Sequence, residues 1–151
     1  KGVRFVLTIP ADRVEARRLL DRVEQLGLGD FIFNFGPVAQ EGCVELYRAS
    51  DFTVLPSTLE SFSNMIGESW AMEKPLLISD LSWCRSLCGD AAIYYDYLNP
   101  CSLVDKIQFL IDSDQAPIVA AGTAQLASYP TSEQRFKNYL DIIEKSTAIG
   151  E

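Results

Sequence analysis

The sequence predicts an α/β domain built on a doubly wound parallel sheet, with helices on both faces and a helical tail. Three observations support this fold class. Five short apolar runs alternate with helical segments, only helical segments follow the last run, and 48% of the 151 residues are hydrophobic. Alternation is typical of a parallel sheet because each strand needs a crossover to the next. The length suits a single domain, residues 1–151, with a sizeable core.

The strands are predicted where apolar residues run together between turn signals. Pro10 is expected to open the first helix because its fixed φ suits a first turn, and Gly27 is expected to end that helix. A short second helix is predicted at Glu41–Ala49. The five predicted strands are Arg4–Ile9, Phe31–Phe35, Asp51–Leu55, Pro75–Ser79 and Ala91–Tyr95.

Local capping signals predict the later helices. Asn99 and Pro100 form a cap and first-turn pair for a helix that runs to about Ile111. Thr131–Gln134 resembles a capping box for a last helix toward Ser146, and Gly122 is expected to weaken the helix before it. The other predicted helices are one that closes at Lys74-Pro75, one at Leu81–Cys88 and one at Ala116–Ser128.

Charge and residue usage argue against several classes of function. The net charge of −8 argues against broad binding of a nucleic-acid backbone, which needs a basic face, although backbone amides can still hold a small anion. The absence of histidine excludes Ser-His and Cys-His nucleophile systems and disfavours a catalytic zinc site. The four cysteines are expected to be reduced thiols packed in a cytosolic core.

The stretch from Pro56 to Pro75 is the candidate ligand site. The third strand ends before Pro56, a turn carrying Glu60 follows, and Glu68 lies in the second turn of the next helix. In an open α/β sheet, ligands bind beyond the carboxyl ends of the strands, and helix N-termini there present N–H groups that suit phosphate. The sequence therefore predicts an anion site with one carboxylate on either side of a turn.

Six segments occur in an order that resembles a known family. They are Phe35–Val38, Leu46–Asp51, Val54–Ser57, the pair Glu60 and Glu68, Lys74-Pro75, and Cys88–Ala92. In that order they resemble the loop after the third strand, the LYxxAD helix end, the strand-end PS, the E-x7-E motif, the GxPV turn and the gdaA segment. All six of these family features are found in the Rossmann-like, donor-binding C-terminal domain of GT-B fold glycosyltransferases, family 4 in particular (glycosyl transferases group 1), which this chain therefore resembles.

The resemblance implies a parent enzyme that moves a hexosyl group from a nucleotide diphosphate-sugar to an acceptor hydroxyl. Such enzymes retain the anomeric configuration and need no metal or other cofactor. Glu60 would be the catalytic residue facing the donor sugar, Glu68 would accept hydrogen bonds from the ribose hydroxyls, and Val38 would lie near the base. An ionised carboxylate suits a pair of hydroxyls because it only accepts. Sugar or phosphate oxygens would be received by the backbone N–H groups of Phe62, Ser63, Asn64 and Met65.

Three departures from the family pattern modify these expectations. Ser63 replaces the second glycine of the family's EGFG segment, which removes a flexible position. The chain is expected to lack the domain's first strand and the Arg and Lys that neutralise the diphosphate. In the order 3-2-1-4-5-6 this leaves a gap between Arg4–Ile9 and Asp51–Leu55. Either those strands close on each other, or another segment or a second copy fills the space.

The third departure is the absence of the N-terminal acceptor-binding domain, so the chain is expected to be a fragment that is inactive alone. Its expected partners are the nucleotide-sugar donor and that missing domain, with no nucleic acid, and with self-association as one way to close the sheet. The expected location is the cytoplasm, with any membrane contact made through the missing domain.

Three other functions compete with this one. A receiver-like regulatory module needs an acidic cluster after the first strand and a lysine after the last, and the residues after Ile9 and Tyr95 do not supply them. A non-catalytic binder of nucleotide-sugars stays open because of Ser63 and the acidic charge. A two-carboxylate glycosidase is disfavoured, because such a pair lies on separate elements across the scissile bond.

Overall fold

The structure is a computed structural model that describes residues 2–60 and 63–147. The described residues form two compact units, one up to Leu46 and the other from Tyr47 onward. Each unit contains its own parallel sheet, flanked by helices. The predicted α/β fold class is confirmed.

The first unit contains a two-stranded parallel sheet and a crossover helix. Strand β1 (Phe5–Leu7) pairs with β2 (Ile32–Asn34), and helix α1 (Val14–Gln25) connects them. The prediction that Pro10 opens α1 is wrong. Residues 10–13 form a turn in which the Arg13 N–H donates to Pro10 O, and Arg13 is itself extended, so the helix begins only after it.

The end of α1 follows the prediction. Gly27 has φ +65°, a left-handed conformation in which a side chain would be strained. Its N–H donates to Glu24 O, and the Leu28 N–H donates to Val23 O. These two bonds form a Schellman motif, which satisfies the last carbonyls of the helix.

The second unit contains a three-stranded parallel sheet in the order β3-β4-β5. The strands are β3 (Thr53–Leu55), β4 (Leu76–Ser79) and β5 (Ile93–Tyr95). All four residues of the central strand β4 are buried, as expected for a strand covered on both faces. Helix α2 (Gln40–Ala49) contains the boundary between the units. The other helices are α3 (Asn64–Ala71), α4 (Ser82–Cys88), α5 (Pro100–Asp112), α6 (Ala116–Ser128) and α7 (Ser132–Thr147).

Within each unit the pairing follows the chain order. In the first unit β1 pairs with β2, and in the second β3 pairs with β4 and β4 with β5, all parallel.

Two predicted helix starts are confirmed at the level of individual bonds. The Asn99 side chain accepts from the Cys101 N–H at the start of α5, with Pro100 in the first turn. At α7 the Thr131 hydroxyl accepts from the Gln134 N–H, and the Gln134 side chain accepts from the Thr131 N–H. The latter pair of bonds is a reciprocal capping box.

The core of the second unit includes a close crossing of α3 and α6. Trp70 on α3 is buried, and its indole N–H donates to Ala91 O over 2.8 Å. Gly122 on α6 faces the Trp70 ring, and a Cβ at this position would lie 2.5 Å from Trp70 Cδ1. Gly122 therefore permits the crossing, because any side chain at this position would overlap the Trp70 ring.

Two of the four cysteines are core residues, as predicted, and two are not. Cys84 and Cys88 are fully buried, whereas Cys43 is partly exposed and Cys101 is exposed. Burial, and secondarily the neighbouring Cys84, raises the pKa of the Cys88 thiol to about 12. Cys88 therefore stays neutral in the folded protein at pH values where a solvated thiol ionises.

We expect Gly122→Ala to lower the free energy of unfolding by about 1–3 kcal/mol, because the new methyl group overlaps a Trp70 ring that is held in place. Urea unfolding monitored by circular dichroism measures this. The control is Gly67→Ala on α3, where the space is open and an alanine should stabilise the helix by about 0.5–1 kcal/mol. Equal effects of the two substitutions would contradict the close crossing.

We also expect stability to fall as the pH rises above 9. The Cys88 thiol ionises in the unfolded chain near its ordinary pKa of 9.0, but in the fold only near a pKa of about 12. Unfolding therefore releases a proton in this window, and stability decreases by about 1.4 kcal/mol per pH unit from this group. Unfolding at pH 8 and pH 10 should show a smaller decrease in Cys88→Ala than in the wild type or in Cys101→Ala. An identical decrease in all three would refute the assignment to Cys88.

Candidate functional site

The predicted strand, turn and helix are present in the second unit. Strand β3 ends at Leu55, a loop containing Glu60 follows, and α3 begins at Asn64. Ser63 is the N-cap residue and is extended, with φ −97° and ψ 116°, but its side chain makes no cap hydrogen bond. The Ile66 N–H donates to Ser63 O, and no first-turn N–H donates to the Ser63 side chain. The N–H groups of Asn64 and Met65 are therefore suited to donate to an oxygen of a ligand.

Buried hydroxyl groups hold α3 against β3. The Ser69 hydroxyl donates to Met65 O over 2.5 Å and lies 2.8 Å from the hydroxyl of Thr53. Thr53 in turn reaches Pro75 O at 3.3 Å, and Ser69 is fully buried. Because hydrogen bonds between buried groups are costly to break, these contacts fix the helix relative to the strand.

The end of α3 is a Schellman motif without a glycine. The Glu73 N–H donates to Trp70 O and the Lys74 N–H donates to Ser69 O. Glu73 has φ +55° and is the one described non-glycine residue with positive φ. A side chain in this conformation costs roughly 1–2 kcal/mol. The following residues lead directly into β4, so the turn sets how α3 joins the sheet.

Glu68 lies on the exposed side of α3 and has one fixed partner. The Tyr47 hydroxyl donates to Glu68 Oε2 over 2.9 Å. Tyr47 belongs to the last turns of α2, and the Lys74 ammonium donates to Arg48 O in the same turns at 3.3 Å. Glu68 is therefore an exposed carboxylate with one hydrogen-bond partner, and its remaining acceptor positions can accept from a ligand.

Glu60 is half-buried in the loop before α3, and Trp83 on α4 holds that loop. The Trp83 indole N–H donates to Thr58 O at 3.3 Å, while the ring packs against the core of the unit. Trp83 therefore both packs against the core and holds the loop through its bond to Thr58. Near it, Arg85 pairs with Asp80 and lies over the Tyr94 ring, and the Arg85 side chain lowers the pKa of Asp80.

In the first unit, an asparagine shapes the loop that carries Val38. The Asn34 side chain accepts from the Ile9 N–H and the Gly36 N–H and donates to Ile9 O, at 3.1–3.2 Å. Gly36 has φ +71°, so the loop turns at a glycine. Val38 follows it, partly buried, between β2 and α2.

The structure brings together most of the predicted site residues. Ser63, Asn64, Met65 and Glu68 share the start of α3, and Glu60 lies in the loop that leads to it. Met65 packs its side chain against the core, so only its backbone is offered to a ligand. Val38 belongs to the other unit, and Phe62 lies outside the described residues.

Three supporting residues were not identified from the sequence: Tyr47, Trp83 as a partner of the loop, and Asn34. Tyr47 lies in the segment Leu46–Asp51 that resembles the LYxxAD motif. The motif marks this tyrosine as part of the family pattern, but it does not indicate which residue the tyrosine contacts. Within residues 2–60 and 63–147, no three Cys, Asp or Glu side chains group in a way that could hold a metal ion. In the same ranges no helix combines the length and apolarity that a membrane crossing requires.

Comparison with solved structures gives the fold, which this chain shares with glycosyltransferases of the GT-B fold. The chain superposes on a glycosyltransferase from Rickettsia africae ESF-5 with a TM-score of 0.81 and 19% identity, over 96% of this chain and 40% of that one. It also superposes on the C-terminal domain of a glycosyl transferase group 1 family protein from Francisella tularensis, with a TM-score of 0.64 and 22% identity. That match covers 79% of this chain and 64% of the other.

Comparison of sequences gives the family. The family described as glycosyl transferases group 1 matches residues 2–113, and the chain belongs to it. The chain is also 28% identical over 113 residues to a D-inositol 3-phosphate glycosyltransferase from Thermobispora bispora. That alignment covers 73% of this chain and 26% of the relative, so the chain spans about a quarter of that protein's length. The predicted family is confirmed.

We expect Glu73→Gly to raise the free energy of unfolding by about 1 kcal/mol, because glycine adopts positive φ without strain. Chemical denaturation of both variants checks this. Glu73→Ala is the matched control, since it removes the carboxylate but keeps the strained Cβ, and it should give no gain. A gain of the same size with alanine would point to charge instead of backbone strain.

Proposed function

We propose that this chain is the donor-binding domain of a retaining family 4 glycosyltransferase, which moves a hexosyl group from a nucleotide diphosphate-sugar to an acceptor hydroxyl. The observation that carries the proposal is the β3–loop–α3 unit. It presents an exposed, hydrogen-bonded carboxylate at Glu68, a second carboxylate at Glu60, and uncapped helix N–H groups between them. Membership of the family supports the transferase activity.

The proposed roles follow from the chemistry of these groups. Glu68 accepts from the two ribose hydroxyls, and the N–H groups of Phe62, Ser63, Asn64 and Met65 receive phosphate or sugar oxygens. Glu60 binds the donor sugar and stabilises positive charge near the reacting carbon. Val38 lies near the base. A helix N-terminus can hold an anion without cationic side chains, which fits a chain of net charge −8.

The proposal includes a single donor-binding domain that works with an N-terminal acceptor-binding domain. The family match runs through both compact units, which supports treating them as one functional domain. The chain alone should bind donor but not transfer sugar, because the acceptor would be bound by the other domain. We further propose a metal-independent reaction and a cytoplasmic parent enzyme, in which any membrane contact belongs to the acceptor-binding domain.

The alternative is a non-catalytic nucleotide-sugar binder. Its main support is the replacement of a family glycine by Ser63, and the backbone conformation of Ser63 weighs against that support. Ser63 replaces a family glycine, but its φ of −97° and ψ of 116° are values that any residue adopts without strain. The loss of the glycine thus requires no distortion at this position. The alternative keeps the same binding site and differs only in lacking transfer.

Calorimetric titration with UDP, GDP and ADP tests the proposal. One nucleotide should bind, and Glu68→Gln should weaken it about 10- to 100-fold, the range expected for losing hydrogen bonds to a charged group. Glu73→Gln, which neutralises an exposed glutamate after the same helix, should bind like the wild type.

Two results would contradict the proposal: no binding of any nucleotide by the wild type, or equal binding by wild type and Glu68→Gln. Transfer of sugar by the isolated chain would contradict the need for an acceptor-binding domain. Loss of transfer on Glu60→Gln in a full-length enzyme, with donor binding kept, would decide for the catalytic function over the non-catalytic binder.

A further inference from the structure

We propose that Tyr47 is a positioning residue for Glu68, and that this tyrosine makes the site select nucleotides with an intact ribose diol. The inference rests on the proposed function, since it assigns Glu68 to the ribose. It starts from one contact, the hydrogen bond of 2.9 Å from the Tyr47 hydroxyl to Glu68 Oε2. Both residues lie in the second unit, 21 positions apart in sequence.

The bond fixes one oxygen of Glu68 and leaves the rest of its accepting capacity open. A carboxylate has two oxygens and about four acceptor positions, whereas a phenol donates a single hydrogen. After the bond to Tyr47, Oε1 and one further position of Oε2 remain for a ligand. That number is sufficient for the two adjacent hydroxyls of a ribose.

Tyr47 can act as a fixed reference because its own helix end is tied to the element that bears Glu68. The Lys74 ammonium donates to Arg48 O, one residue after Tyr47, and Lys74 directly follows the turn that ends α3. A tyrosine side chain has only two rotatable bonds before the ring is placed. A glutamate has three, and Glu68 is exposed, so without a partner it would sample several rotamers.

Ordering Glu68 in advance should matter for one class of ligand only. Immobilising a rotamer-rich side chain on binding reduces affinity, and a side chain that is already ordered avoids this cost. The gain is realised only when the ligand bonds to Glu68. A nucleotide without the 2′- and 3′-hydroxyls makes no such bond, so its affinity should not depend on Tyr47.

The test compares one nucleoside diphosphate, the one that wild type binds best, with its 2′,3′-dideoxy analogue. Calorimetry is carried out on wild type, Tyr47→Phe, Glu68→Gln and the double variant. Tyr47→Phe should bind the ribonucleotide about three- to tenfold more weakly, the range expected for losing one pre-ordered side chain. It should bind the dideoxy analogue like wild type. The double variant should be no weaker than Glu68→Gln, because Tyr47 acts through Glu68.

Tyr139→Phe is the matched control, since this tyrosine is exposed on α7 and the substitution removes the same hydroxyl. Thermal melting of each variant verifies that the fold is kept. If wild type binds no nucleotide, the proposed function and this inference both fail. If Glu68→Gln weakens binding but Tyr47→Phe does not, only this inference fails. Equal weakening of both ligands by Tyr47→Phe would show a general structural role and would also overturn it.

Discussion

The candidate site depends on one constraint, the fixed position of α3 against the sheet. Two bonds join α3 to its surroundings, Ser69 to Thr53 of β3 and the Trp70 indole to Ala91 O, and the Lys74 N–H donates to Ser69 O to close the turn into β4. Each is made by a buried residue or by the backbone. A helix that could slide would move its N–H groups and its carboxylate together, so binding of a small anionic ligand requires this anchoring.

The same constraint divides α3 into a packed face and an exposed face. Ile66, Ser69 and Trp70 are buried, whereas Asn64 and Glu68, one turn apart, are exposed. Side chains four residues apart share one face of a helix, so the two exposed residues point the same way. Gly122 extends this division to α6, because the absence of a side chain there lets the second helix approach the packed face.

Features that depend on neighbours in sequence could be predicted, and those that depend on distant residues could not. The starts of α5 and α7 follow from Asn99 and from the Thr131–Gln134 pair, whose partners lie within three residues. The prediction that Pro10 opens α1 was wrong because the turn closed by Arg13 competes with helix initiation. Gly122 and Tyr47 have roles defined by residues 52 and 21 positions away. The motif order predicted the family, which the family match confirms, and it singled out Glu60 and Glu68 as candidates for the proposed site.

The cationic side chains near the candidate site bear on whether the proposed donor would be bound mainly through its diphosphate or through its ribose. Lys74 is bonded to Arg48 O, and Arg85 is paired twice with Asp80 and lies over Tyr94. Arg85 is thus already paired with a carboxylate, and Lys74 already donates to a carbonyl, so the proposed phosphate binding would draw mainly on the partial charges of the α3 N-terminus. Those are weaker than a full cationic pair. Under the proposed function, ribose recognition would therefore carry a larger share of donor affinity, and the geometry of Glu68 and Tyr47 would be correspondingly important.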